Sequence, residues 1–288
     1  PSTPPPIATV IRGLCTEESC NCTRIQALDI TPYAALRKVF PPYFNCPLDG
    51  WDTSHVTDMS QMFDGTISFN QPLNWDTGQV TDMAMMFADA TSFNQPLNFT
   101  DTGKVTDMNT MFHKASSFNQ PLNWDTSQVK NMAIMFADAI SFNRPLAWDT
   151  SRVTDMTWVF AVATSFNQSL DFDTSRVTDM SYMFYSAAAF DQPVHFDTSR
   201  VAKFRSMFYA ATAFNQPLHL NTSSATVLRT LLAETSSFDQ PLPFTDTSRV
   251  TLMDGMLYKA SAFNQPLLTW DTSSVTSMAW MFEQASSF

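Results

Sequence analysis

Glycine is scarce in this chain, with six in 288 residues. So few leave no Gly-rich loop to cradle a phosphate, which removes the commonest nucleotide-binding device. Charge is thin as well. Charged residues make up 15% of the chain, low for a globular surface, and Ser, Thr, Asn and Gln fill the outside instead. The net charge is −11, and no cluster of Lys or Arg forms, so a nucleic-acid footprint is missing. No apolar run approaches the roughly 18 residues that a bilayer span requires. The chain opens at Pro1 without Met or a signal sequence, as expected of a processed or trimmed form.

What is present is one unit written ten times, from Trp51 to Phe288. Its Asp returns as Asp52, Asp76, Asp101, Asp125, Asp149, Asp173 and Asp197, then as Asn221, Asp246 and Asp271, in steps of 24 residues with three of 25. A fixed period of about 20–50 residues marks a solenoid, in which each unit covers its neighbour's apolar face. The repeat therefore overrides any count of domains from length.

Within the second copy, Val80, Met83, Met86 and Phe87 fall on one stripe of a short helix. Thr81 would cap it and Asp82 would sit at the positive end of its dipole. A helix of about two turns cannot stand alone and would be held by stacking. Ala90 keeps the packing close, Phe93 plugs the core, and Asn94-Gln95-Pro96 turns the chain. In Leu97-Asn98-Phe99 and Leu122-Asn123-Trp124 apolar and polar residues alternate, which reads as a short strand with Leu and the aromatic facing in. The expected architecture is an α/β solenoid of about ten coils, each with one short strand and one short helix. Stacked parallel strands at a spacing of about 4.8 Å would give a rod on the order of 50 Å long.

Residues 28–50 form a degenerate capping repeat, because Phe44-Asn45-Cys46-Pro47-Leu48 lines up with the later Phe-Asn-Gln-Pro-Leu and Tyr33, Leu36, Val39 and Phe40 echo the helix stripe. Residues 1–27 are a Pro-rich lead with a disulfide-bearing segment, and 51–288 hold the ten tandem repeats, the last incomplete. Cys15, Cys20, Cys22 and Cys46 lack the paired spacing of a structural zinc site, so two disulfides pinning the end are expected. Cys20 and Cys22 are too close to pair, so each should join Cys15 or Cys46. Asn21, Asn98, Asn167 and Asn221 open N-x-[ST] sequons and are candidate glycosylation sites. Cysteines and sequons together point to an extracellular or cell-surface protein.

Candidate chemistry is weighed against packing. In the Asp-Thr-Ser/Gly run an Asx-turn explains the Asp, and also Asn221, without any ligand. The same run forms a candidate exposed ladder: Asp76 and Thr77, Asp101 and Thr102, Asp125 and Thr126, Asp149 and Thr150, Asp173 and Thr174. Calcium between coils is conceivable from two Asp per coil, but the oxygen density of a dedicated calcium loop is lacking. Arg152, Arg176 and Arg200, three residues after an Asp, are expected to neutralise part of the acid. An ice-binding face would want two Thr columns two residues apart, whereas Thr77 and Thr81 are four apart. His55 and His113 read as exposed variable positions, and His195 and His219 as neighbouring surface residues. The Trp/Phe column (Trp51, Trp75, Phe99, Trp124, Trp148, Phe172, Phe196) pairs with Leu and reads as core. No nucleophile, base and orienting acid depart together from the repeat register, so no enzyme is expected, and no cofactor.

The run Phe-Asn-Gln-Pro-Leu-Asn-Trp-Asp-Thr-Ser-x-Val-Thr-Asp-Met-x-x-Met-Phe, over residues 44–288, resembles the 26-residue bacterial surface protein repeat, a branch of the BspA-like leucine-rich repeats. The resemblance implies a right-handed leucine-rich-repeat-like solenoid, surface display and roles in adhesion or surface architecture, and it carries no catalytic residues. The 24-residue period and the clustered cysteines depart from it. The expected function is a secreted or cell-surface structural or adhesive repeat protein that contacts other extracellular or surface proteins or copies of itself. The alternative is a ligand-binding solenoid for calcium, glycan or ice. The final repeat keeps Val275, Met278, Met281 and Phe282 in the internal pattern, so a further repeat, a cap or a docked subunit is expected beyond it.

Overall fold

The computed structural model describes residues 4–16, 19–267 and 270–288. The readings above that touch 1–3, 17–18 and 268–269 lie outside the described residues. Two short helices precede the array. Helix α1 (Ile7–Gly13) buries Ile7 and Ile11. Helix α2 (Cys22–Gln26) buries Ile25, and its N-cap Asn21 accepts a hydrogen bond from the Arg24 amide at 3.1 Å. Disulfides join Cys15 to Cys20 and Cys22 to Cys46, so the second fastens α2 to the start of the array.

From Ala35 onward the chain winds as a repeat solenoid. Parallel single-residue β-bridges mark its register, running Ala35, Asp58, Asp82, Asp107, Asn131, Asp155 and then Asp179, Lys203, Val227, Leu252, Ser277. A second column links Leu73 to Leu97 and Leu146 to Leu170 and Val194. The expected strands shrink to these bridges. Proline supplies the reason in the Leu column: Pro72, Pro96 and Pro145 stand directly before the bridging Leu and have no N–H with which to extend the ladder.

The helix expected in every coil does not form; among the described residues α1 and α2 are the α-helices. Its place is taken by linked turns. Met83, Met85, Phe87 and Asp89 donate their amides to the next coil, at Asp107, Asn109, Met111 and His113, over 2.7–3.0 Å. The interleaved amides of Met86, Ala88 and Ala90 close three-residue turns onto Met83, Met85 and Phe87. An α-helix needs every amide for its own i−4 carbonyl, and here alternate amides are spent between coils. The turns require left-handed backbone at two positions per coil, as at Met85 (φ 58°) and Asp89 (φ 55°), or Trp158 (φ 61°) and Val162 (φ 57°). Thr81 and Asp82 accordingly cap no helix. The Asp82 carboxylate instead accepts from the Ala84 amide at 2.9 Å, a second Asx-turn in the coil.

The buried stripe survives this change because a turn of three residues spaces apolar positions much as a helix does. Val80, Met83, Met86, Phe87, Ala90 and Phe93 are all fully buried. Phenylalanines stack in two columns along the axis: Phe112, Phe136 and Phe160 at 5.5 and 5.7 Å, and Phe118, Phe142 and Phe166 at 6.0 Å. Adjacent columns touch, with Phe136 and Phe142 4.1 Å apart. Such offset stacks gain roughly 0.5–1.5 kcal/mol per pair beyond their burial. The Asn after the core Phe has a job of its own. Asn143 Oδ1 accepts from the Asn167 amide at 3.0 Å and from Gln168 Nε2 at 2.9 Å, and the pattern runs from Asn45 to Asp239.

Candidate binding face

Along Leu73-Asn74-Trp75-Asp76-Thr77, side chains alternate between core and solvent: Leu73, Trp75 and Thr77 are buried, while Asn74 and Asp76 are exposed. This alternation makes one face of the solenoid a set of polar columns. In all ten repeats the Asp, or Asn221, accepts the amide of the Ser or Gly two residues on, at 2.8–3.1 Å. One carboxylate oxygen is thereby occupied by the turn.

The ladder proposed from sequence divides in two. Asp76, Asp101, Asp125, Asp149 and Asp173 are exposed. Thr77, Thr102, Thr126, Thr150 and Thr174 are buried, which corrects their assignment as exposed. Each donates its hydroxyl to the carbonyl of the Asp one coil further on, as Thr126 does to Asp149 at 2.9 Å and Thr174 to Asp197 at 3.0 Å. A hydroxyl spent on a buried backbone carbonyl cannot bind ice or any other ligand. The two inserted threonines, Thr100 and Thr245, stay on the surface and lean back on the preceding coil at Asp76 and Asn221, each at 3.3 Å.

Hydrogen bonds from Ser127, Ser151, Ser175 and Ser199 lower the carboxyl pKa values of Asp125, Asp149, Asp173 and Asp197. Repulsion from Asp149 and Asp197 works against this at Asp173. The expected neutralising arginines act without direct contact: the charges of Arg152 and Arg200 help lower the pKa of Asp149 and Asp197. Among the described residues no ion pair joins Arg152, Arg176 or Arg200 to an Asp, and Arg152 donates to Gln128 at 2.6 Å instead. Groups of three or more metal-ligating side chains are absent among the described residues.

A depression of about 680 Å³ lies on this face, lined by Ala147, Asp149, Ser169, Asp171, Pro193 and His195 among others. It opens because Ala147 holds the outward position that Asn74, Asn98 and Asn123 fill elsewhere. His195 and His219 are both exposed, whereas His55 and His113 are half-buried rather than exposed. Burial lowers the His113 pKa, with Lys114 adding to it and Asp138 opposing. Of the sequon residues, Asn21, Asn98 and Asn221 are exposed. Asn167 is half-buried, and its Oδ1 accepts from the Asp191 amide and Gln192 Nε2.

The second Asp of a coil, counted in the sequence as a conceivable calcium ligand, forms a second acidic column. Asp58, Asp82 and Asp107 pair by backbone bridges, and Arg37 covers the first two at 2.6 and 3.7 Å.

No curated protein and no solved structure matches this chain. The model of one family, described as Mycoplasma protein of unknown function, DUF285, matches residues 34–147, 145–220 and 218–288. Those matches span the whole solenoid, and the chain belongs to the DUF285 family.

Proposed function

We propose that this is a non-enzymatic, secreted or cell-surface repeat protein whose acidic face makes structural or adhesive contacts with other surface proteins or with copies of itself. One observation carries the reading. The Asx-turn needs only one acceptor oxygen, and Asn221 makes it without charge, with the Ser223 amide at 3.1 Å. The turn therefore does not require the charge that the carboxylates elsewhere in the column carry, and neighbours such as Asp149 and Asp173 repel each other. A column of charges that the turn geometry does not require is a surface aimed at something outside it. The two disulfides support an oxidising compartment. The right-handed leucine-rich-repeat-like winding implied by the BspA-like resemblance belongs to the same proposal, with linked turns in place of the helix.

The triple variant Asp125→Asn, Asp149→Asn, Asp173→Asn tests it, because the turns are kept and the charge is removed. On cells of the native source, labelled wild-type protein should bind the surface, and the variant should bind weakly with an unchanged melting temperature. Equal binding by both, or location of the native protein inside the cell, would sink the proposal.

A further inference from the structure

On the bend of the coil one turn position reads, along the axis, Trp158, Tyr182, Ser206, Thr230, Gly255, Trp280. All six have left-handed backbone. Trp158 and Tyr182 stack face to face at 4.0 Å. The next three side chains are small, and Trp280 then stands exposed beyond them. A neighbouring position reads Tyr185, Tyr209, Ala233, Tyr258, Glu283, with Tyr185 and Tyr209 stacked at 4.9 Å. Where the first stack is interrupted, a cavity of about 300 Å³ is lined by Tyr209, Thr230, Gly255, Tyr258, Trp280 and Glu283. A Cβ at Gly255 would lie 3.1 Å from the Thr230 methyl group, so the missing side chain opens the floor of this slot.

We propose that this slot binds one pyranose ring of a neutral glycan. Its lining has two kinds of surface. The indole and phenol rings offer flat faces with negative quadrupoles, which suit the C–H face of a sugar. Hydroxyls and a carboxylate supply the rim. Thr230 Oγ1, which shares a hydrogen bond with the buried Ser206 Oγ at 2.7 Å, keeps further capacity at the rim, and Glu283 offers acceptors to sugar hydroxyls. A methylated ammonium would use the rings and the Glu283 carboxylate but would leave the Thr230 hydroxyl desolvated without a partner, at a cost. A ring with an apolar face and a hydroxylated edge uses both.

The walls are held in place before any ligand arrives. Lys259 Nζ lies 4.8 Å over the Tyr258 ring and 3.1 Å from Glu234 Oε1. Lys259 is thus paired, and Glu283 leaves the rim negative, so uronic, sialic and sulfated sugars are repelled. None of these residues belongs to the exposed Asp column, so the slot stands or falls apart from the adhesive role of that face.

The test is a panel of immobilised neutral, uronic and sulfated oligosaccharides probed with the full chain, followed by calorimetric titration of those bound. Neutral glycans should bind and anionic ones should not. Trp280→Ala and Gly255→Tyr should each weaken binding about tenfold or more, while Trp158→Ala, in the same column but remote, should leave it unchanged. Trp158 and Tyr182 carry rings on the same left-handed backbone, so Gly255→Tyr fills the slot once the Thr230 methyl gives by a few tenths of an ångström, and hydrogen exchange of the adjacent coils checks that they stay folded. Trp280→Phe should restore part of the affinity. No neutral glycan bound, equal binding by Trp280→Ala, or preference for tetramethylammonium would each overturn the assignment. Loss of glycan binding by Trp280→Ala with its cell-surface binding intact, and the reverse for the Asp→Asn triple variant, would separate this site from the acidic face.

Discussion

Thr150 donates its hydroxyl to the backbone carbonyl of Asp173, one coil further on, at 3.0 Å. The threonine is buried and the aspartate carboxylate exposed, so adjacent positions of one motif serve folding and surface separately. Thr150→Val keeps the shape and strands the buried carbonyl, and should cost about 1–3 kcal/mol. Asp149→Asn keeps the Asx-turn and should cost less than about 1 kcal/mol. Denaturant midpoints of the two variants decide it. A larger loss for Asp149→Asn would reverse the division of labour.

Phe136 tests the core. It is fully buried and stacks on Phe112, Phe142 and Phe160 at 5.5, 4.1 and 5.7 Å. Truncation to Ala leaves a cavity between coils and should cost roughly 3–5 kcal/mol. Hydrogen exchange should show lost protection centred on this coil and its two neighbours. Uniform loss along the whole array would mean that coils do not couple chiefly to their nearest neighbours.

Left-handed backbone at β-branched residues is a strain that substitution can remove. Val162 holds φ 57° within the turn that hands its amide to Tyr185 at 2.6 Å. Asn tolerates this conformation far better, so Val162→Asn should raise stability by about 1 kcal/mol. A lower melting temperature would show that Val162 packing outweighs the backbone strain.

Acid should act with opposite sign on Asp82 and on four members of the exposed Asp column. Serine hydrogen bonds lower the folded-state pKa of Asp125, Asp149, Asp173 and Asp197 below the ordinary 3.8. Their contribution is present above that unfolded value and is lost as pH falls through the lowered folded values. Asp82 is different: burial, then repulsion from Asp58 and Asp107, raises its pKa despite the Ala84 amide and Arg37. Its ionised form therefore costs stability at neutral pH. Asp82→Asn should raise the melting temperature at pH 7, and the gain should shrink as acid protonates the wild-type carboxyl. A pH-independent gain, or a loss, would refute this account of Asp82.

Sequence alone determined the period, the buried apolar stripe and the ten Asx-turns, because each depends on a local pattern written many times over. Val80, Met83, Met86 and Phe87 could be placed in the core from spacing, but their backbone could not. Spacing reports which side chains share a face, and a stripe of turns shares it as a helix would. Only the stacked coils decided that alternate amides are spent across the axis, as from Met85 to Asn109, and that the helix gives way to linked turns. The same stacking put Thr77 inside and left Asp76 outside. Its partner is the carbonyl of Asp101, a coil away, which no local pattern displays. The aromatic slot lay equally out of sight, since Tyr209, Gly255 and Trp280 come together only when their coils are stacked in register.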